Sequence, residues 1–359
     1  MIVLDAMGGD FAPKVAVEGA YKAFAEFGIK TALIGKRDEI QSFLPNDSRA
    51  SKLEIIDASE VIEMNDIPSE SFYTKPESSI QKGIQMIKEK RADAFISAGN
   101  TGAVMYAAYK ILGTMENISR PAITSPIPTP KGTSYLLDCG ATAESKPQWL
   151  REFAIMGHIY CSRFIGIDNP SVGLLCNGTE RTKGIRSLQE AYELISAEKE
   201  INFIGFIEPK DVLKGRIDLA VTDGFSGNIF LKTIEAWATM FIDLYSESRN
   251  KNLKSKIFSF LSKTAVNDVL ERLNVSNYGG SPLLGINGLV VICHGESNAE
   301  SIKNAIYITN EYLSKDFVKV ISGETIRIST ETRKREIPKR KGLFAFWKSI
   351  FKEGRKKKS

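Results

Sequence analysis

The sequence predicts an α/β fold on an open sheet, and three observations predict it. Five short apolar runs each stop at a glycine-bearing polar turn, with a helix-like pattern after it. The order strand, turn, helix repeats along most of the chain. With 359 residues, 43% of them hydrophobic, the chain can bury one large core or form two lobes sharing a cleft. In a parallel sheet such turns sit at the carboxyl ends of strands, where open α/β sheets bind ligands. Glycine lets bare N–H groups approach a ligand, and the following helix offers its positive end to an anion.

The first run is Ile2-Val3-Leu4, entering the turn Asp5-Ala6-Met7-Gly8-Gly9-Asp10. A helix is predicted over 14–27 from the spacing of Val15, Val17, Ala20, Phe24 and Phe27, and another over 78–90 from Ile80, Ile84 and Ile87. The second run, 94–97, enters Ala98-Gly99-Asn100-Thr101-Gly102. Pro121, Pro126, Pro128 and Pro130 are too dense for a helix and predict a rigid crossing or edge segment. The third run, 135–137, enters Asp138-Cys139-Gly140, and a helix follows over 148–164. The fourth, 172–175, enters Cys176-Asn177-Gly178-Thr179, and a helix follows over 185–198. The fifth, 219–221, enters Thr222-Asp223-Gly224-Phe225-Ser226-Gly227-Asn228.

A long helix is expected over 228–248, and a second apolar pattern over 253–273 is interleaved with lysines. The pair, about 229–273, reads either as ordinary packing or as a protrusion toward a lipid surface or acyl chain. A turn at 277–282 precedes a buried strand over 288–293 and a closing helix over 297–312. Residues 1–325 are expected to form the catalytic α/β domain, and 326–359 a basic tail.

The net charge of +5 divides unevenly: from Arg327 onward the tail carries +10, and the body −5. Within that tail, Leu343, Phe344, Trp347, Ile350 and Phe351 lie among lysines, the composition of an interfacial anchor. A solvated tail and a nucleic-acid arm are the other readings of this block, nucleic acid being the least favoured. Four scattered cysteines form no C-x-x-C pair, which speaks against a disulfide framework or structural zinc and fits a reducing cytosol. No secretory pattern opens the chain and no apolar stretch is long enough to span a bilayer. No metal constellation is readable, and no cofactor is expected.

Anion binding needs donors. The segment 177–184 offers backbone N–H groups at Gly178 and Thr179, hydroxyls, and the cations Arg181 and Lys183, without the spacing of a nucleotide-binding P-loop. At the start of the long helix, Ser226, Gly227 and Asn228 could hold phosphate or a developing oxyanion, or simply cap the helix. Of the two histidines, His158 reads as a packing residue and His294, after a buried strand, as a candidate donor or acid. Cys139 reads as a small buried residue more than as a nucleophile.

Taken together, residues 5–13, 97–103 and 223–228, with Tyr278-Gly279-Gly280-Ser281-Pro282-Leu283-Leu284-Gly285, resemble one family. The chain is similar to the bacterial acyl-ACP:phosphate acyltransferases, the PlsX family of phospholipid synthesis, from Met1 to about Lys319. That resemblance implies a three-layer α/β/α fold of the isocitrate/isopropylmalate dehydrogenase type, shared with phosphotransacetylases, in a homodimer. It implies transfer of a fatty acyl group from acyl carrier protein to inorganic phosphate. The acyl phosphate would then feed a membrane glycerol-3-phosphate acyltransferase, with the enzyme cytoplasmic and peripheral to the membrane. Phosphate is itself the nucleophile, so the protein need only position it and stabilise tetrahedral charge.

In this chain Lys183, Gly178 and Thr179 are expected to hold phosphate, and Asn228 the oxyanion, with Asn100 and Thr101 lining the same cleft. Asp138, Asp223 and His294 are candidates for orienting these groups or protonating the leaving thiol. Gly8, Gly9, Asp10, Gly102, Gly140, Ser226 and Gly227 complete the expected lining. The chain departs from the family pattern at Cys176-Asn177, Ile185-Arg186 and Thr142. Alternative readings are a short-chain phosphotransacylase using acyl-CoA, and a membrane- or nucleic-acid-binding protein acting through its tail. A nicotinamide dehydrogenase on the related fold lacks support, because Gly8-Gly9 opens no G-x-G-x-x-G.

Overall fold

The computed structural model describes residues 1–250 and 279–332. The second apolar pattern at 253–273, Tyr278, and the aromatic cluster Leu343, Phe344, Trp347, Ile350 and Phe351 lie outside the described residues.

The described strands form one mixed sheet of 11, in the order β3-β2-β1-β4-β11-β10-β5-β6-β9-β7-β8. Their bounds are β1 Ile2–Asp5, β2 Thr31–Gly35, β3 Glu54–Asp57, β4 Ala94–Ser97, β5 Ala122–Thr129 and β6 Gly132–Leu137. The remainder are β7 Ser171–Leu175, β8 Asn202–Ile207, β9 Leu219–Val221, β10 Ser281–Leu284 and β11 Leu289–Ile292. Successive strand side chains point to opposite faces. Ile2 and Leu4 therefore join one core with Ala16, Phe153 and Ile302, while Val3 joins another with Ile80, Val104 and Val290.

One face is covered by α1 (Lys14–Phe27), α6 (Pro147–Tyr160), α7 (Arg186–Ser196) and α10 (Ala299–Ser314). The other is covered by α4 (Ser79–Lys88), α5 (Thr101–Leu112), α8 (Pro209–Leu213) and the first turns of α9 (Gly224–Asn250). Two cores on opposite faces of one sheet make three layers. Short helices α2 (Arg37–Phe43) and α3 (Pro68–Thr74) lie in the first half.

Three expectations are corrected. The sheet is not parallel throughout: β11–β10, β10–β5 and β5–β6 are antiparallel, and an odd number of reversals turns β6, β9, β7 and β8 against β1, β4 and β11. The proline-rich segment is no edge: β5 pairs with β6 along its length and with β10 at Ala122 and Ile123. Pro126 and Pro128 are tolerated because β10 ends its pairing at Ile123, and their missing N–H groups would point to that side. Packing also continues past residue 325. A helix over 317–332 buries Ile321, Ile328 and Ser329, and Thr332 Oγ1 donates to buried Glu198 at 2.6 Å, which Arg151 also holds at 2.5 Å.

Candidate active site

Because strand direction reverses, the glycine turns leave the sheet in two groups. The first follows β1, β4 and β11. There Ser97 Oγ donates to buried Asp5 at 2.7 Å and accepts from Gly99 N at 3.0 Å. Burial lifts the Asp5 carboxyl above its usual range, and bonds from Ser79 and Ser97 hold it down. A Cβ on Gly8 would sit 2.5 Å from Gly99 N, so only glycine lets these two turns touch. Asp10 N donates to Gly295 O at 2.9 Å, which adds Gly9 and the His294 turn to this group. Asn100 is fully engaged: Oδ1 caps α5 through Ala103 N, and Nδ2 donates to the carbonyls of Glu63, Met64 and Asp66. It braces a loop, with exposed Thr101 and half-buried Gly102 beside it. His294 is exposed, and its Nδ1 accepts from Glu296 N at 3.2 Å.

The second group follows β6, β9 and β7, which are adjacent and parallel. Asp138 lies at its centre, fully buried. Its Oδ1 accepts from Ile123 N at 2.9 Å, Gly140 N at 3.2 Å and Ala141 N at 3.0 Å, and Oδ2 from Thr142 N at 2.7 Å. Burial raises its carboxyl to about 6 against the pull of these N–H groups. A carboxylate so wrapped is a loop anchor. It also consumes the N–H groups that the Gly140 turn was expected to offer an anion.

The turn after β9 is engaged in the same way. Asp223 caps α9, accepting from Ser226 N and Ser226 Oγ at 2.8 Å each, so the cap is Asp223 and the Ser226 hydroxyl is already bonded. A Cβ on Gly227 would fall 1.9 Å from Asp138 O, so the N-terminus of α9 presses directly on the Asp138 turn. That contact sets Asn228 beside Gly140, its amide nitrogen 3.8 Å from where a Cβ on Gly140 would lie. The Asn228 side chain is half-buried and has no partner among the described residues.

The turn after β7 differs. Asn177 Oδ1 accepts from Gly184 N at 3.3 Å, and Gln189 Nε2 donates to the carbonyls of Thr182, Lys183 and Gly184. The N–H groups of Gly178 and Thr179 donate to no acceptor among the described residues. Arg181 pairs with Glu193 and stacks on Tyr192, and Arg186 pairs with Glu190 at 2.8 Å. Lys183 is left without a partner among the described residues, its stem packed on Gly178. Free cation and free N–H groups therefore coincide at this turn.

The structure thus brings together Lys183, Gly178, Thr179, Asp138, Gly140, Asp223, Ser226, Gly227 and Asn228 on one strand-end edge. It places Gly8, Gly9, Asp10, Asn100, Thr101, Gly102 and His294 on the other, and no hydrogen bond joins the two groups among the described residues. The expectation of a single shared edge fails because of the strand reversal.

A shallow apolar groove of about 420 Å³, lined among the described residues by α9 alone, runs from Asn228 past exposed Ile229 and Trp237 to Met240. Sequence reading missed Arg120, at the entry to β5, because its neighbours Tyr109 and Trp149 are distant in sequence. Cys139 is buried with its thiol raised well above the usual range, so it is a packing residue. His158 is half-buried, and burial lowers its imidazole from the ordinary value.

The fold is a three-layer α/β/α sheet protein, an architecture shared with solved phosphotransacetylases. A phosphotransacetylase from Streptococcus pyogenes superposes with a TM-score of 0.60 at 18% identity, covering 88% of this chain and 94% of that one. The family model described as fatty acid synthesis protein matches residues 1–320. Phosphate acyltransferase of Halothermothrix orenii is 42% identical over 330 residues, covering 90% of this chain and 98% of the relative. That of Dictyoglomus turgidum is 42% identical over 322 residues, covering 89% and 96%. The chain belongs to this fatty acid synthesis protein family, the PlsX family that its motifs resemble.

Proposed function

We propose that this protein transfers a fatty acyl group from a carrier-protein thioester to inorganic phosphate, giving acyl phosphate for phospholipid synthesis. The observation that carries the reading is the placement of unpaired Lys183, the free N–H groups of Gly178 and Thr179, and unpaired Asn228 after the ends of the adjacent parallel strands β7 and β9. Lys183 and the two N–H groups hold the phosphate dianion. A phosphate oxygen attacks the thioester carbonyl carbon, and the Asn228 amide donates to the oxyanion that forms. The C–S bond then breaks, and the carrier leaves as thiolate and is protonated. No covalent enzyme intermediate is needed, consistent with a buried Cys139.

The groove along α9 begins at Asn228, where the carbonyl is held, and so takes the acyl chain. Among the described residues no helix is long and apolar enough to cross a membrane. Cytoplasmic, peripheral attachment through the basic tail, a homodimeric state, and delivery of product to a membrane glycerol-3-phosphate acyltransferase belong to the same reading.

The test is phosphate-dependent release of carrier thiol from acyl carrier protein. Lys183→Ala is expected to raise the phosphate KM about 10- to 100-fold, the worth of a charge-assisted contact. Asn228→Ala is expected to lower kcat about 100-fold or more, as loss of an oxyanion donor does. Turnover with short-chain acyl-CoA and none with the carrier thioester would favour the phosphotransacylase alternative instead.

A further inference from the structure

We propose that Arg120 is a second phosphate ligand, seated on the Asp138 side of the site opposite Lys183. The proposal rests on the phosphate-transfer reading and deepens it.

On the second edge the strands lie in the order β5, β6, β9, β7, so the groups above them follow as Arg120, Asp138, Asn228 and Lys183. Neighbouring strands are about 4.8 Å apart, which puts roughly 14 Å between the β5 and β7 backbones. Arg120 and Lys183 therefore stand on opposite flanks of Asp138. Between them the Gly140, Ala141, Thr142 and Ser226 N–H groups are all engaged by carboxylates. A dianion above Asp138 therefore needs its positive charge from side chains on either flank.

Arg120 is built to supply it. Its guanidinium lies 5.2 Å from the Tyr109 ring centroid and 5.2 Å from that of Trp149, held between helices α5 and α6. Its backbone is placed by its neighbours. Glu152, buried on α6, accepts from Ser119 N at 2.7 Å and Ser119 Oγ at 2.9 Å, while Pro121 O accepts from Thr142 Oγ1 at 3.4 Å. Glu152, which could have neutralised the guanidinium, is thus engaged by Ser119. Among the described residues Arg37, Arg49, Arg91, Arg151, Arg163, Arg181, Arg186, Arg216 and Arg327 all have an oxygen partner, and Arg120 has none. Lys146 adds positive charge, 5.4 Å from the Trp149 centroid. A planar fork held by two rings and left without a carboxylate suits bidentate binding of phosphate oxygens.

The experiment uses the full chain and reads phosphate binding apart from turnover. Line broadening of the phosphorus NMR signal of inorganic phosphate is titrated with wild type, Arg120→Ala and Arg120→Lys, and phosphate and carrier KM values are measured in parallel. Arg120→Ala is expected to weaken phosphate binding about 10- to 100-fold and raise the phosphate KM alike, with the carrier KM within about twofold. Arg120→Lys should recover only part, and added guanidinium ion should restore Arg120→Ala. If Arg120 merely braces α5 against α6, Arg120→Ala lowers the melting temperature but leaves phosphate affinity and KM unchanged; that result overturns the proposal. A rise in the carrier KM alone would also overturn it, assigning the guanidinium to the carrier's own phosphate. Wild-type phosphate binding lost in Arg120→Ala, with no acyl transfer by wild type, would sink the activity reading and leave this ligand standing. Wild type that binds no phosphate removes both.

Discussion

Gly227→Ala isolates the contact on which the site is built. In a helix interior, alanine is favoured over glycine by about 1 kcal/mol, so propensity alone predicts stabilisation. At position 227, however, the new Cβ would meet Asp138 O at 1.9 Å, Thr222 Cγ2 at 2.9 Å and Asp138 C at 3.0 Å. An ordinary carbon–oxygen contact needs about 3.3 Å, so α9 and the Asp138 turn must part by more than an ångström. The obstacle is backbone, and no rotamer relieves it. Overpacking of this kind costs about 1–3 kcal/mol or more, which outweighs the helix gain. Gly323→Ala is the control. That glycine is also helical, nothing lies within 4 Å of its would-be Cβ, and the change should stabilise by about 1 kcal/mol. The helix gain is common to both variants, so urea unfolding should separate them by the overpacking cost, about 1–3 kcal/mol or more, with Gly227→Ala the less stable. Because Asn228 moves with Gly227, acyl transfer should fall in Gly227→Ala and hold in Gly323→Ala. A Gly227→Ala protein as stable and as active as wild type would refute the close approach of α9 to the Asp138 turn.

Two further outcomes follow from named groups. Asp138 has its carboxyl raised from 3.8 to about 6 in the fold, so between those values the folded chain binds more protons than the unfolded one. Its contribution is present below the unfolded value and is lost, by about 3 kcal/mol, as pH rises through 6. Asp138→Asn cannot titrate and should flatten the stability profile in that window; unfolding midpoints with the same slope in both proteins would contradict it. Ala236→Trp fills the α9 groove and should cut transfer of chains of about sixteen carbons at least tenfold while sparing chains of about six, since each buried methylene contributes about 0.8 kcal/mol. An unchanged chain-length profile would remove the groove from the acyl path.

The strand-and-turn order was legible because each apolar run stops at glycine and polar residues, which are local signals. The same holds for α1, α4, α6 and α7, whose apolar spacing is set by 3.6-residue periodicity. Site residues were partly legible. Lys183 with Gly178 and Thr179 could be named because cation and glycine are neighbours in sequence, and Asn228 because it opens a long helix. His294, Asn100 and the Gly8–Gly9 turn were grouped with them on chemistry alone, and topology set them on the other strand-end edge.

By itself the sequence determined the strands that run into glycine turns (β1, β4, β6, β7 and β9), β11 and the amphipathic helices beside them, since those depend on residues close along the chain; β2, β3, β8 and β10 emerged only in the assembled sheet. Tertiary structure decided strand direction. Three antiparallel pairings at the middle of the sheet divide the glycine turns between two edges. It also decided which turn N–H groups remain open to a ligand, because Asp138 reaches Ile123 and Thr142 across a strand pair and a loop. A hydrogen bond between distant segments has no periodicity to read. For the same reason Arg120, held by Tyr109 and Trp149, emerged only when the helices carrying them were packed on opposite faces of the sheet.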